Sequence, residues 1–355
     1  MNDNEINDIR QSKDFKGMTF SKFKRSEVKK LLIKELFNEN LEQSLYWSVE
    51  LICTGCYMDL WEIIILFISK YIHLGNPKLP TYIEMRFNNF KNIVINGYIG
   101  NELAMRNNQK IRNIFAEIIT VLCQSPKRHG FDVIKINKDI DYNLGHLSSR
   151  LKAPNTTYGD RIFRKEDPKE IYIATNELAY HLSEHSKNLV DSCFWIEWVI
   201  EYENISKKFK KKIECERREN MPVDQKFQKE TIWVVWDTIL TFLEDKSEMT
   251  KKIINSLLSL YCLHYSSGCK KRRRYILYFA VSILVDNYNT NTNIIQNKQV
   301  IDKVIGQIHI IYKQIKKHEE APKTDYLFND EIKEKSNLEK TVEKLDKIKE
   351  IMGSV

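Results

Sequence analysis

Glycine and proline are scarce: the 355 residues include 11 glycines and seven prolines. Backbone-cradled phosphate sites need glycine, and the motifs that mark them are missing. There is no G-x-x-x-x-G-K-[ST] loop, no G-x-G-x-x-G turn and no G-x-S-x-G elbow. Nor is there an uninterrupted apolar run of about 18 residues, the length a membrane-crossing helix needs. The best stretch, Ile63 to Ile72, is short and is broken by Lys70. Met1 to Lys16 is polar and of mixed charge, without the apolar segment of a secretory signal. The seven cysteines are odd in number and fall mostly in apolar helical patterns, which excludes a full disulfide framework and points to reduced thiols. An intracellular protein, cytoplasmic or nuclear, is expected, with a virion or viral factory as the alternative, and no membrane partner.

Apolar residues recur at helical spacing. Leu45, Val49 and Ile52 share one face, as do Ile64, Phe67, Ile68 and Ile72. Capping residues and breakers predict a helix from Ser26 to Phe37, one from Asn40 to a stop at Gly55, and one from Asp59 to near Gly75. Pro77 and Pro80 then punctuate the start of a fourth, and a fifth runs from Asn108 to a stop at Pro126. Residues 131–168 carry Gly145, Pro154, Gly159 and Pro168 and read as a linker or long ordered loop. Helices resume at about Lys169 and continue to Lys317; Leu189–Ile200, Thr231–Leu243, Ile253–Leu263 and Tyr275–Val285 are the long apolar segments among them, with an Asn- and Thr-rich loop over 286–298. The expected fold is all-α, with two helical lobes. The divisions are a flexible N-terminus (1–23), a helical domain (24–130), the 131–168 segment, a second helical domain (169–318) and a charged helical tail (319–355). In that tail Leu338, Val342, Leu345 and Met352 trace a weak heptad stripe. Ser44-Leu45-Tyr46-Trp47 is echoed by Ser192-Cys193-Phe194-Trp195, and Leu60-Trp61-Glu62 by Val235-Trp236-Asp237. The lobes are therefore either a diverged duplication or two cores that reuse aromatic residues.

The net charge of +8 is unevenly spread. Lys207, Lys208, Lys210, Lys211 and Lys212 form one cluster, and Lys270, Lys271, Arg272, Arg273 and Arg274 another. Such runs either neutralise nucleic-acid phosphates or simply solvate a helix end. The second run precedes Tyr275–Val285, at the helix end that disfavours cations. Charge placed where it costs helix stability suggests a use, such as an anionic partner. Duplex or backbone contact fits better than base stacking, since no aromatic strand surface is evident.

Two short motifs invite metal or redox readings. His181-Leu182-Ser183-Glu184-His185 matches H-x-x-E-H, in which two histidines one helical turn apart can chelate zinc; no third ligand is evident. Cys53-Thr54-Gly55-Cys56 lacks both the second pair of a structural zinc site and the βαβ setting of a redox motif. No metal, no cofactor, no small-molecule substrate and no catalytic residue are expected.

Leu45-Tyr46-Trp47, then Gly55, then Ile68-Ser69-Lys70-Tyr71-Ile72-His73-Leu74-Gly75-Asn76-Pro77-Lys78-Leu79-Pro80, then Ser125-Pro126-Lys127-Arg128, follow one another in a fixed order. Together they place residues 27–129 in resemblance to the C-terminal helical region of the replication-associated recombination ATPases. That clamp-loader-group family includes the Werner-helicase-interacting proteins. The likeness covers less than a third of the chain. Lys70 and Tyr71 replace the family's acidic pair, and the ATPase module has no counterpart in the roughly 25 residues ahead. The resemblance implies a collar-like packing of helices, homo-oligomerisation or a protein partner, and a replication or repair setting. The Asn-, Ile- and Lys-rich style is also similar to unassigned proteins of giant DNA viruses. The expected function is a non-catalytic helical scaffold in DNA replication, repair or transcription that touches a DNA or RNA backbone. The alternative is a structural or virion-associated protein whose helices serve only packing.

Overall fold

The computed structural model describes residues 4–211 and 213–320. It is all-α: among the described residues there is no strand, only an isolated bridge between Met18 and Lys24. The tail stripe at Leu338, Val342, Leu345 and Met352, and Lys212, lie outside the described residues.

The first half follows its punctuation. α1 (Arg25–Phe37) and α2 (Leu41–Cys53) form a packed pair. α2 ends where Gly55, at φ +79°, lets Cys56 N reach back to Leu51 O at 2.9 Å. α3 (Tyr57–Leu66) begins two residues before the expected Asp59 and does not run on as one helix to Gly75. It widens into a π-helix over Phe67–Ile72 and tightens into a 3-10 turn over His73–Gly75. Carbonyls freed by the change of winding are taken up from outside: Gly130 N donates to Lys70 O at 2.7 Å and Arg128 N to Ile72 O at 3.2 Å. Pro80 sits in the first turn of α4 (Leu79–Ile95), where its missing N–H costs nothing. Asn108 caps α5 (Gln109–Gln124) by accepting from Ile111 N at 3.1 Å.

Between α5 and the second half the chain makes mostly turns, with one short helix, α6 (Leu144–Leu147). Buried polar groups order this segment. Glu177 accepts from the amides of Lys152 (2.9 Å) and Ala153 (3.1 Å), Asn176 accepts from Gly159 N (3.1 Å), and Trp198 Nε1 donates to Asp141 O (2.8 Å). Then follow α7 (Tyr172–Leu182), α8 (Leu189–Lys208), α9 (Ile232–Thr241), α10 (Glu248–Cys262), α11 (Cys269–Arg272), α12 (Arg274–Val285) and α13 (Lys298–Lys316).

The packing order of the first half recurs in the second. α1 pairs with α2 and α7 with α8; the next helix, α3 or α9, lies against both members of its pair; α5 packs on α2 as α12 packs on α8. Trp61 and Trp236 are both fully buried, as are Ser44 and Ser192. The two halves are not separate in their interiors. One apolar core runs from Ile6 to Ile315, α10 packs on α4, and α13 crosses back onto α2 and α5. α12 is buried from Tyr275 to Leu284 and touches both α8 and the π-helix, as expected of a helix that is apolar all round.

Residues 4–23, expected to be flexible, are packed. Ile6, Phe15 and Phe20 are buried, Ser21 N and Oγ donate to the buried Glu50 at 2.6 and 2.9 Å, and Arg10 donates to His318 O at 3.0 Å. Three isolated apolar side chains in a polar stretch have no periodicity to announce them, yet each fills a place in the core.

Candidate nucleic-acid interface

α8 carries the first basic cluster at its C-terminal end, the end that favours cations. Lys207 lies one turn after Glu203 and pairs with it at 2.6 Å. The helix then closes through Lys210 at φ +56°, and Lys211 N returns to Ser206 O at 2.9 Å. Lys211 Nζ reaches Glu170 at 2.7 Å. Phe209 stands out between the lysines with 79% of its surface exposed.

The second cluster folds against the first. Lys270 is buried and its Nζ lies 2.6 Å from Glu203 Oε1, the same oxygen that Lys207 reaches, and 2.8 Å from Glu230. Thr231 Oγ1 donates to the other Glu203 oxygen at 2.8 Å. Burial would raise the pKa of Glu203, but Lys270, Lys207 and Thr231 outweigh it and hold the carboxyl below its ordinary range. Lys271 pairs at 3.0 Å with Glu201, which also holds Lys138 at 2.8 Å. Arg274 pairs at 3.0 Å with Glu197, and Tyr278 OH donates to the same carboxylate at 2.9 Å. Burial pushes Glu197 up, with Arg274 and Tyr278 opposing. Arg273 is buried; it bonds to Glu62 of α3 at 2.5 Å and to the carbonyls of Tyr261 and Leu263 at 2.7 and 2.6 Å. Arg272 is exposed, and its bond is to Cys269 Sγ at 3.2 Å.

The two clusters are thus brought together, but most of their charge is spent inside the molecule. Lys270 and Arg273, expected at a phosphate-contacting surface, are interior ion-pair groups and do not face solvent. The cost of cations at the start of α12 is offset by Glu62 and Glu197, so a use for that misplaced charge exists without any outside anion. Lys207, Lys211 and Lys271 are exposed but paired. Lys208, Lys210 and Arg272 are exposed with no carboxylate partner among the described residues. Glu197, Glu201 and Glu203 were the groups missed from the sequence. Their signal was there, acidic residues on the turns of α8 ahead of its lysine run, but the pairing of Glu203 with Lys270 spans 67 positions.

The residues carrying the family resemblance also meet. A β-carbon built on Gly75 would lie 2.2 Å from Pro126 O, so the two ends of the motif touch there and leave no room for a side chain. Asn76 is buried and donates to Asn293 O at 3.2 Å; Pro77 and Pro80 are buried beside it. Trp61 is enclosed by Phe87, Phe90 and Phe115 at ring distances of 5.1 to 5.7 Å. Tyr46 and Trp47 are half-buried and meet edge to face at 5.0 Å.

The H-x-x-E-H reading fails on helix length. α7 stops at Leu182, so His185 lies in the following turn, and His181 is buried with Nδ1 on Ser186 Oγ at 2.9 Å. Among the described residues no three His, Cys, Asp or Glu side chains come together as metal ligands. All seven cysteines are free, and burial pushes the Cys53 and Cys56 thiols up, away from reactivity. No helix among the described residues is long and apolar enough to cross a membrane.

No protein-family model, no curated protein and no solved structure matches the chain.

Proposed function

We propose that the chain is a non-catalytic helical scaffold that touches a nucleic-acid backbone through a narrow basic rim, Lys208, Lys210 and Arg272. The observation that carries this reading is the shared Glu203 oxygen. It draws the two basic clusters to one joint, and among the described residues Lys208, Lys210 and Arg272 of those clusters have no carboxylate partner. Phosphate contacts of this kind are insensitive to sequence and steeply salt-dependent. The collar resemblance supports a replication or repair setting and a homo-oligomer or protein partner. The recurring packing order supports descent of the two halves from one repeat.

A second reading, a packing-only structural protein, is favoured by the pairing of the other six described cations with carboxylates. Duplex DNA and RNA binding, followed by fluorescence anisotropy at two salt concentrations, separates the two. Reversal of Lys208, Lys210 and Arg272 to glutamate is expected to weaken binding about tenfold or more at low salt. It is also expected to flatten the salt dependence by roughly 0.9 in log–log slope for each phosphate that the variant no longer neutralises. Binding unchanged by the triple reversal favours the packing-only reading. Arg273→Glu is not a test of binding, because it places a buried carboxylate beside Glu62.

A further inference from the structure

α13 is apolar over a wider arc than one packed face needs. Ile301, Ile308, Tyr312 and Ile315 are buried where the helix crosses α2 and α5. A second row, Val300, Val304 and Ile311, runs beside them, and Ile310 extends the arc on the solvent side with 47% of its surface exposed. A helix that only covers a core presents a stripe of about 100°. The second row has a different place: with Leu41 and Leu45 from the start of α2 it lines an open groove of about 490 Å³. Leu41, Val300 and Val304 are only half-buried, so apolar surface in the groove is left to water. Apolar surface with polar edges is the mark of an interaction site.

The chain carries a segment that fits. The described residues end at Glu320, whose N–H donates to Asp8 at 2.9 Å, just past the end of α13, and residues 321–355 follow. In their sequence Leu338, Val342, Leu345, Ile348 and Met352 recur every three or four positions, with lysines and acidic residues between them. As a helix, residues 338–352 would be about 21 Å long, against about 17 Å for residues 300–311 of the groove wall. The stretch 321–337 can span up to ~56 Å when extended, and the way back along α13 from residue 316 to residue 300 is about 24 Å. The segment therefore reaches the groove with slack. A helix of about four turns with one narrow apolar stripe is marginal alone in water. Docking removes both exposed apolar surfaces at once. Tethering gives the segment an effective concentration of the order of millimolar, which favours it over a second copy at micromolar concentration.

We propose that the groove between α2 and α13 is the docking site of the chain's own C-terminal segment, residues 338–352, laid along it as an amphipathic helix with Leu338, Val342, Leu345 and Met352 turned inward. The docked segment completes the core on the side of α13 that the rest of the chain leaves open. The device is independent of the basic rim.

Hydrogen exchange of the full chain, followed by mass spectrometry at pH 7 and low micromolar concentration, tests this. Amides of residues 338–352 are expected to exchange at least tenfold more slowly than in a synthetic peptide of the same sequence. Val304→Glu in the groove and Leu345→Glu in the segment's stripe are each expected to return them to the peptide's rate. Lys347→Glu, opposite the stripe, is expected to leave the protection in place. Amides of α5, read in the same samples, report whether the body stays folded. Ile310→Glu, at a position already half exposed, serves where Val304→Glu also loosens α5, and the same loss of protection is expected. Sedimentation at two concentrations is expected to show a monomer whose protection does not depend on concentration. Peptide-like exchange in the wild type overturns the proposal. So does protection that survives the groove variants with α5 intact, the behaviour of a detached helix. Protection that appears only in a dimer, where a second copy's segment fills the groove, overturns it as well.

Discussion

Asp167→Ala is expected to lower the unfolding free energy by about 3–5 kcal/mol, the range found when one member of a buried ion pair is removed. Neither side chain of the Asp167–Arg218 pair has any exposure, and the contact is bidentate, with both N–O distances 2.6 Å. Asp167 also accepts from the amides of Glu216 and Arg164, each at 2.9 Å, so it ties the segment before α7 to the irregular chain between α8 and α9. Its loss leaves the guanidinium with Asp237 at 2.7 Å and the Glu216 carbonyl at 2.7 Å. The dehydration cost of Arg218 stays, while half of its compensation goes. Urea unfolding at pH 7 measures the change. The double variant Asp167→Leu with Arg218→Met is expected to recover part of the loss, because an apolar pair removes the buried charge itself, and Asp237 keeps Arg164 at 3.4 Å. A loss below about 1 kcal/mol for Asp167→Ala would mean that water reaches the pair.

Gly75→Ala is the second large effect, about 3 kcal/mol, the upper end of the usual cost of overpacking. The new methyl would meet Pro126 O at 2.2 Å, Pro126 C at 3.0 Å and Arg128 N at 3.2 Å, all backbone atoms. That backbone cannot retreat freely, because Arg128 N and Gly130 N are bonded to the carbonyls at the end of the π-helix. The control is Gly306→Ala in α13, where nothing lies within 4 Å of the added carbon. There the substitution is expected to stabilise by up to about 1 kcal/mol, since alanine is the better helix former. The same urea series reads both. Equal effects at the two positions would refute the close contact at Gly75.

The basic clusters and the glycine motif show how differently features can be read from a sequence. Local chemistry placed most helix ends. Asn108 and Pro126 bound α5, Pro80 opens α4, Gly55 closes α2, and the Asn- and Thr-rich stretch after Val285 is a loop. These depend on a few neighbouring residues, so the energies that decide them are present in short windows. Gly75 and Pro126 were each legible as breakers, but their contact was not. The π-helix over Phe67–Ile72 had no local signal, because what stabilises it is the chain at Arg128 and Gly130.

By itself, the sequence determined an all-α chain with apolar helices, reduced thiols and two concentrations of positive charge. Only the tertiary structure decided what those charges do. Arg273 is paired with Glu62, 211 positions away, and Lys270 with Glu203, 67 positions away. It also decided that Ile6, Phe15 and Phe20 anchor the N-terminal arm and that α7 stops before His185. The physical reason is range. Helix periodicity and capping act over one or two turns, whereas burial and charge pairing depend on which distant segments the packing brings together, and no short window of sequence carries that information.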